Sequence, residues 1–289
     1  MTAPVTFILG MHNSGTSLLA RLAALLGLEL GPEVLTRDSF EAKPAYDYWE
    51  HAGIVALQDE ALHRLGRHWS TPQSHLPIPP EAWSLPEIAR IAEALGAILD
   101  RELIAAAGLS GNRPWGFKDP RTVRLLPLWR QVLARRGLSA RYLISLRDPA
   151  IVTASFADKG RVVPADAEAL WRRSYLEALA GSAGAPRLVV DYDAWLDQPE
   201  TQAAALAGFL GQPQAADAAL AAVRDAIDPA LRRTHAAPLR LAPFTVATAE
   251  CLRAMIGGRE PEARIAALLD RAAAADRRAA ARPDGTAAA

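Results

Sequence analysis

Cysteine is almost missing from this chain: Cys251 is the only one in 289 residues. A single thiol excludes a disulfide framework and suits a reducing compartment. Its plainest reading is a small buried apolar residue. Excess charge of either sign is missing as well, with 32 basic against 32 acidic residues. No global field therefore draws nucleic acid or an anionic membrane, and phosphate binding falls to local basic residues. Long apolar runs are also lacking. The first ends at Leu9, too short for a signal-peptide core or a membrane span, and no basic stretch precedes it. A soluble, cytoplasmic protein with no membrane span and no nucleic-acid partner is expected. His63, His68 and His75 do not have metal-ligand spacing and read as surface or aromatic-packing residues, so no metal site is expected.

The most informative stretch present is VTFILGMHNSGTSLLAR, Val5 to Arg21. A short β-branched strand meets a loop bracketed by Gly10 and Gly15, which opens into an apolar helix near Thr16. Strand, glycine loop and helix aim several backbone N–H groups at one point, where the helix dipole also favours negative charge. The spacing fits the phosphate-binding pattern G-x-x-x-x-G-K-[ST] except that Thr16 stands where the lysine belongs. Transfer of a γ-phosphoryl group normally uses that ammonium. The loop reads as a cradle for a 5′-phosphate with some other chemistry. Backbone amides from Asn13 to Thr16, with the Thr16 and Ser17 hydroxyls, can surround a phosphate without a metal.

The length suits one large α/β core, and no internal repeat is visible. Buried parallel strands are expected at Trp115–Lys118, Ala140–Leu146 and Arg187–Val190. Helices are expected at Pro86–Ala107, Thr122–Arg136, Pro149–Lys159, Asp166–Leu179 and Pro199–Leu210, the last capped by Asp197. This alternation predicts a central parallel β-sheet flanked by helices on both faces, an α/β fold of the P-loop type. Residues 31–86 are aromatic and proline-rich, with one helix near His51–Leu65, and read as a lid over the carboxyl edge of the sheet. Residues 212–276 form a helical C-terminal part of one domain, 1–276, and 277–289 form a frayed low-complexity tail.

Two further segments carry chemistry. In WGFKDPRT a strand delivers Lys118 and Asp119 to its end, Pro120 turns the chain, and Arg121 opens a helix. A cation at a helix start is out of place unless an anion lies nearby. In LISLRDPAIVTASF a second strand ends in Arg147, followed by Asp-Pro and a helix carrying Ser155 two turns on. Arginine can fork onto two phosphate oxygens while a serine donates a third hydrogen bond. A nucleotide triphosphatase would place an aspartate at this strand end to hold Mg²⁺. The chain offers arginine first, which describes a second, metal-free phosphate site.

Taken together, these residues resemble the PAPS-dependent sulfotransferases. His12–Asn13–Ser14–Gly15–Thr16–Ser17 is similar to that family's 5′-phosphosulfate loop, P-[KR]-[ST]-G-[TS]-[TS]. Arg147 to Ser155 is similar to its 3′-phosphate stretch, R-D-P-x-x-x-x-x-S. Lys118–Asp119–Pro120 resembles a stretch of the tyrosylprotein sulfotransferases whose lysine reaches the transferring sulfuryl group. Tyr46 to Leu62 is similar to a segment of bacterial members that read GMHRSGTS at the loop. The resemblance implies PAPS as co-substrate and a hydroxyl or amine acceptor on a small molecule, glycan or peptide. It implies donor binding by His12 to Ser17, Arg121, Arg147 and Ser155, and catalysis by Lys118 with a carboxylate base. Glu41 and Glu50 are the favoured bases, with Asp38 and His51 as further candidates. Trp49 or Leu231–His235, with Arg232 and Arg233, are candidates for the adenine and 3′-phosphate ends.

One departure stands out: Asn13 occupies the place where the family usually carries Lys or Arg. An amide donates a hydrogen bond without charge, so either Lys118, helped by Arg121 or His12, supplies the positive charge, or the site binds PAPS and catalyses poorly. Two other readings stay open on the sequence. One is a P-loop kinase of a small metabolite, and the other is a non-catalytic nucleotide-binding relative.

Overall fold

The computed structural model describes residues 4–39, 47–109, 113–158, 162–228, 240–259 and 261–280. Four strands form the main sheet: β1 (Val5–Leu9), β4 (Gly116–Lys118), β5 (Ala140–Leu146) and β6 (Arg187–Asp191). Their spatial order is β4-β1-β5-β6 and every pairing is parallel. The middle of β1 shows the register, with Phe7 opposite Phe117 on one side and Tyr142 on the other. The chain leaves β1 for a neighbour on one side, β4, and then crosses to the other side as β5. Ligands of open α/β sheets bind outside the carboxyl ends at such a reversal.

Both faces of the sheet are covered, as the near-continuous apolar strands require. Along β1, Val5, Phe7 and Leu9 point into one core and Ile8 into another. The first core is built with α2 (Ala52–Arg64), α3 (Pro86–Ala107), α4 (Leu126–Arg136), α5 (Pro149–Ala157) and α6 (Pro164–Gly181). It also takes in α10 (Pro243–Ala254) and α11 (Glu262–Ala280). The second core is built with α1 (Thr16–Leu25), the short α7 (Ala194–Asp197), α8 (Pro199–Leu210) and α9 (Ala215–Ala226). At the centre of the first, Phe7 meets Phe117, Trp129 and Tyr142 at ring separations of 5.0, 5.4 and 5.4 Å. Cys251 is fully buried there as a small apolar residue.

The expected strands and helices are present, with local differences that have physical causes. Pro120 at the first helical position starts a 3₁₀ turn, Pro120–Leu125, and α4 proper begins only at Leu126. Asp197 does not cap α8: it ends α7, and Gln198 takes the cap position without a side-chain hydrogen bond. Helix α11 runs to Ala280, past position 277, where fraying is expected from composition. Residues 31–86 contain, besides α2, a two-stranded antiparallel ribbon of β2 (Val34–Leu35) and β3 (Glu50–His51) that periodicity does not reveal. Two residues per strand are too few to show alternation. Glu41, Lys159 and Leu231–His235 lie outside the described residues. No described helix is long and apolar enough to cross a membrane.

The aromatic cluster around Phe7 should carry much of the sheet's attachment to α4. Replacing Phe7 with alanine is expected to lower unfolding free energy by about 3–5 kcal/mol, read from urea denaturation. A loss below about 1 kcal/mol would mean that the ring is not central to the core.

Candidate active site

The loop after β1 has the backbone of a cradle. Gly10, Asn13 and Gly15 all take positive φ, at 151°, 68° and 89°. A Cβ on Gly15 would lie 2.2 Å from the ring of Tyr192, so only glycine lets that ring close the floor of the loop. Inside the loop the Ser14 hydroxyl donates to the Met11 carbonyl at 2.6 Å, and the Ser145 hydroxyl donates to the Ser14 carbonyl at 2.8 Å. Tyr175, buried in α6, donates in turn to the Ser145 carbonyl at 2.6 Å. Burial pushes its phenol well above the ordinary tyrosine range, so it stays a donor. Ser14 and Gly10 therefore shape the loop, and Thr16 begins α1 with its side chain buried.

Asn13 has a conformational explanation. A left-handed backbone at φ 68° suits asparagine better than a long-chain cation. The residue that departs from the family pattern is the one favoured by this turn. His12 stacks on Trp69, with ring centroids 4.6 Å apart, which turns its imidazole toward the aromatic wall of the lid.

The strands β4 and β5 end alike. In each, a cation ends or directly follows the strand, an aspartate caps the next helical turn, and proline takes the first helical position. Asp148 accepts from the Ala150 amide at 2.8 Å, and Asp119 accepts from the Arg121 amide at 3.0 Å. Both aspartates are thus used as caps. Arg147 is buried, with its guanidinium 4.2 Å from the centre of the Tyr192 ring, so one tyrosine braces both the loop and this arginine. Ser155 lies buried on α5.

The lysine of β4 is the pivot. Lys118 is only 2% exposed. Its Nζ donates to Glu50 Oε1 at 2.6 Å and to the Tyr48 carbonyl at 2.9 Å. That carbonyl also accepts from Ser17 at 3.3 Å, which ties loop, lid and β4 together. Glu50 reaches Lys118 because the β2–β3 ribbon lays it there. Between Tyr48 and Glu50, Trp49 takes φ 57°, an uncommon angle for a bulky residue, and its side chain packs against the α1 core. Trp49, a candidate for adenine stacking, is thus half-buried against the core. Burial pushes the Glu50 carboxyl above the usual carboxylate range; Lys118 pulls it back and Asp119 pushes it further up.

Arg121 has the anion neighbours that its position demanded, and they are protein carboxylates. It meets Asp59 at 2.6 Å, Asp119 at 3.0 Å and Glu50 at 3.7 Å. A phosphate on Arg121 would have to compete with all three. Gln58, which sequence reasoning passes over, sits beneath them fully buried. Its amide donates to Asp119 at 2.6 Å while its oxygen accepts from Thr122 at 3.0 Å and Trp129 at 2.9 Å. A glutamine inside an amphipathic helix carries no sequence signal for such a role. His51, a candidate base, caps α2, accepting from the Ile54 amide at 3.3 Å, and its other nitrogen faces Glu102 at 3.5 Å. Among the remaining histidines, His68 stacks on Trp69.

Removing one member of a buried ion pair leaves the other charge uncompensated. Glu50→Gln or Lys118→Met alone should each lose about 3–5 kcal/mol of stability. The Glu50→Gln, Lys118→Met double variant should lose clearly less than the sum, as a denaturation cycle would show. Additive losses would mean that the pair is not coupled.

No family model and no curated protein matches this chain. Among solved structures it is similar to the sulfotransferase domain of the Synechococcus PCC 7002 olefin synthase. That match has 22% identity, 93% of this chain and 94% of the other covered, and a TM-score of 0.45. The sulfotransferase domain from the curacin biosynthetic pathway is similar at 16% identity, with 94% and 98% covered and a TM-score of 0.44. Sulfotransferase STF1 from Mycobacterium tuberculosis H37Rv is similar at 14% identity, with 76% and 71% covered and a TM-score of 0.45. Over most of its length, this chain is thus similar to solved structures of sulfotransferases.

Proposed function

We propose that this protein transfers a sulfuryl group from PAPS to a hydroxyl or amine acceptor, releasing 3′,5′-adenosine bisphosphate. One observation carries the reading. A lysine-free phosphate loop, the buried Lys118–Glu50 pair and the buried Arg147 converge on one edge of the sheet. The donor set suits a ligand with two separated phosphates. Loop amides with the Thr16 and Ser17 hydroxyls take the 5′-phosphosulfate, and Arg147 with Ser155 takes the 3′-phosphate. The loop and Arg147 lie just beyond strand ends, and Ser17 and Ser155 lie on the helices that follow, so the spacing between the two sites is set by rigid elements.

Sulfuryl transfer asks mainly for positioning and for charge placed where charge develops. The acceptor oxygen forms a bond to sulfur as the bond from sulfur to the bridging phosphate oxygen breaks. Negative charge grows on the departing bisphosphate, and Lys118 supplies the cation that Asn13 does not. Glu50 takes the acceptor proton. The shared hydrogen bond keeps Lys118 and Glu50 in register for both tasks, while Arg121 and Gln58 hold Asp119 and steady the base of the site.

Calorimetry with 3′,5′-adenosine bisphosphate should show binding that does not depend on added Mg²⁺, with no binding of ATP. ATP binding that requires Mg²⁺ would instead support a kinase. Lys118→Ala should keep bisphosphate affinity within about tenfold while nearly abolishing transfer of radiolabelled sulfate from PAPS, since the lysine acts in the transition state. Persistence of activity in that variant would remove Lys118 from the mechanism.

A base has to be ionised, and burial keeps the Glu50 proton bound to higher pH than usual. The kcat/KM for transfer should therefore fall as pH drops through a limb above the ordinary carboxylate range. Glu50→Gln should lower the rate by about 10²–10⁴ and abolish that limb. An unchanged profile in the variant would assign the base elsewhere, with Glu41 the next candidate.

A further inference from the structure

The lid and the first core enclose a narrow cleft that starts at the phosphate loop. Its lining includes His12, Trp69, Arg67, Arg121, Arg124 and Leu170. Among the described residues, three arginines line the cleft and no carboxylate does. Their surroundings differ. Arg121 is matched by Asp59, Asp119 and Glu50. Arg124 is buried, donating to Glu177 at 2.8 Å and to the Leu76 carbonyl at 2.6 Å. Behind it, Arg173 is forked onto Asp276. Arg67 has no carboxylate partner among the described residues: it donates to the carbonyls of Gly66 and Pro77, at 3.0 and 2.7 Å. Its Nε is buried without a hydrogen-bond partner.

Among the described residues, Arg124 and Arg173 each have a contact carboxylate, Glu177 and Asp276, whereas Arg67 has none and acts on Glu177 only at longer range. Burial and the neighbouring Arg173 and Arg67 push the Arg124 guanidinium below its ordinary range, against the pull of Glu177. A part-buried guanidinium with no contact carboxylate and an unpartnered Nε keeps hydrogen-bonding capacity that an anion can use. The rings of His12 and Trp69 offer a flat apolar wall beside that charge, and Arg121 lies 5.4 Å from the Trp69 ring centre.

We infer that the cleft is a subsite for an anionic group on the acceptor, a carboxylate or a phosphate monoester, held by Arg67 with its attached skeleton against Trp69. This rests on the sulfotransferase reading in treating the cleft as the acceptor's. It adds that the acceptor already carries a negative charge before it is sulfated.

The test uses the full chain with and without saturating 3′,5′-adenosine bisphosphate, titrated by calorimetry with benzoate, phenyl phosphate and neutral benzamide. Benzoate or phenyl phosphate should bind, and benzamide should bind at least about tenfold more weakly, the loss expected for one charged hydrogen bond. Whichever anion binds more tightly identifies a carboxylate or a phosphate as the natural group. Arg67→Gln should weaken the anions about tenfold, leave bisphosphate affinity unchanged and leave benzamide unaffected, while Arg67→Lys restores most of the loss. Equal binding of benzoate, phenyl phosphate and benzamide, or anion affinity unmoved in Arg67→Gln, overturns the subsite. Failure of the bisphosphate itself to bind overturns the donor reading instead, and the anion titrations on the unloaded chain still decide the subsite.

Discussion

A lysine that is only 2% exposed and an adjacent glutamate that is 7% exposed cannot both hold charge unless they face each other. The contact between Lys118 and Glu50 is the constraint around which the edge of the sheet is arranged. Lys118 arrives from β4 at the end of a strand whose place in the sheet is fixed by Phe117 and Phe7. Glu50 arrives from a ribbon far away in sequence. The Tyr48 carbonyl, shared by Lys118 and Ser17, closes the third side. Burial raises the Glu50 carboxyl above the usual carboxylate range, and Lys118 pulls it part of the way back. Such a pair is weak evidence for stability and better evidence for chemistry.

The second organising device is the repeated end of β4 and β5. Cation, aspartate and proline succeed one another in both, at Lys118–Pro120 and Arg147–Pro149. The aspartate accepts a backbone amide as a cap while its charge also serves an arginine, Arg121 for Asp119 and Arg253 for Asp148. Proline fixes the turn and gives no amide that would need a partner. Two strands of one sheet thus place two cations at one edge by the same local grammar. Tyr192, at the end of β6, then sets how closely the loop and Arg147 approach each other, since its ring meets both Gly15 and the guanidinium.

These devices divide the molecule into parts that the sequence spells out and parts that it does not. The loop, the strand ends and the helix Pro86–Ala107 are carried by local rules, and each is legible from glycine, proline and apolar spacing. The segment 31–86 is legible only as an unusual composition. Its ribbon, the strained Trp49 and the placement of Glu50 depend on contacts between segments far apart in the chain, which leave no period. His51 has the chemistry of a catalytic imidazole, yet it is a helix cap, because a ring nitrogen can accept a backbone amide as readily as a hydroxyl can. Gln58 shows the converse: a residue with no distinguishing neighbours joins Asp119, Thr122 and Trp129 in one buried network.

Asn13 is where the loop and the lysine meet as one problem. Read from sequence, it is a defect, a neutral side chain where a charge is customary. Read from the backbone, it is the residue that a left-handed turn at φ 68° favours. On the proposed reaction the missing charge comes from β4, where Lys118 is held by a carboxylate and a carbonyl and so has a fixed direction. A cation on the loop would sit on a long side chain with many rotamers, whereas a cation at a strand end is positioned by the sheet. The loop can therefore be relieved of charge without the site losing it, provided that Glu50 keeps Lys118 in place.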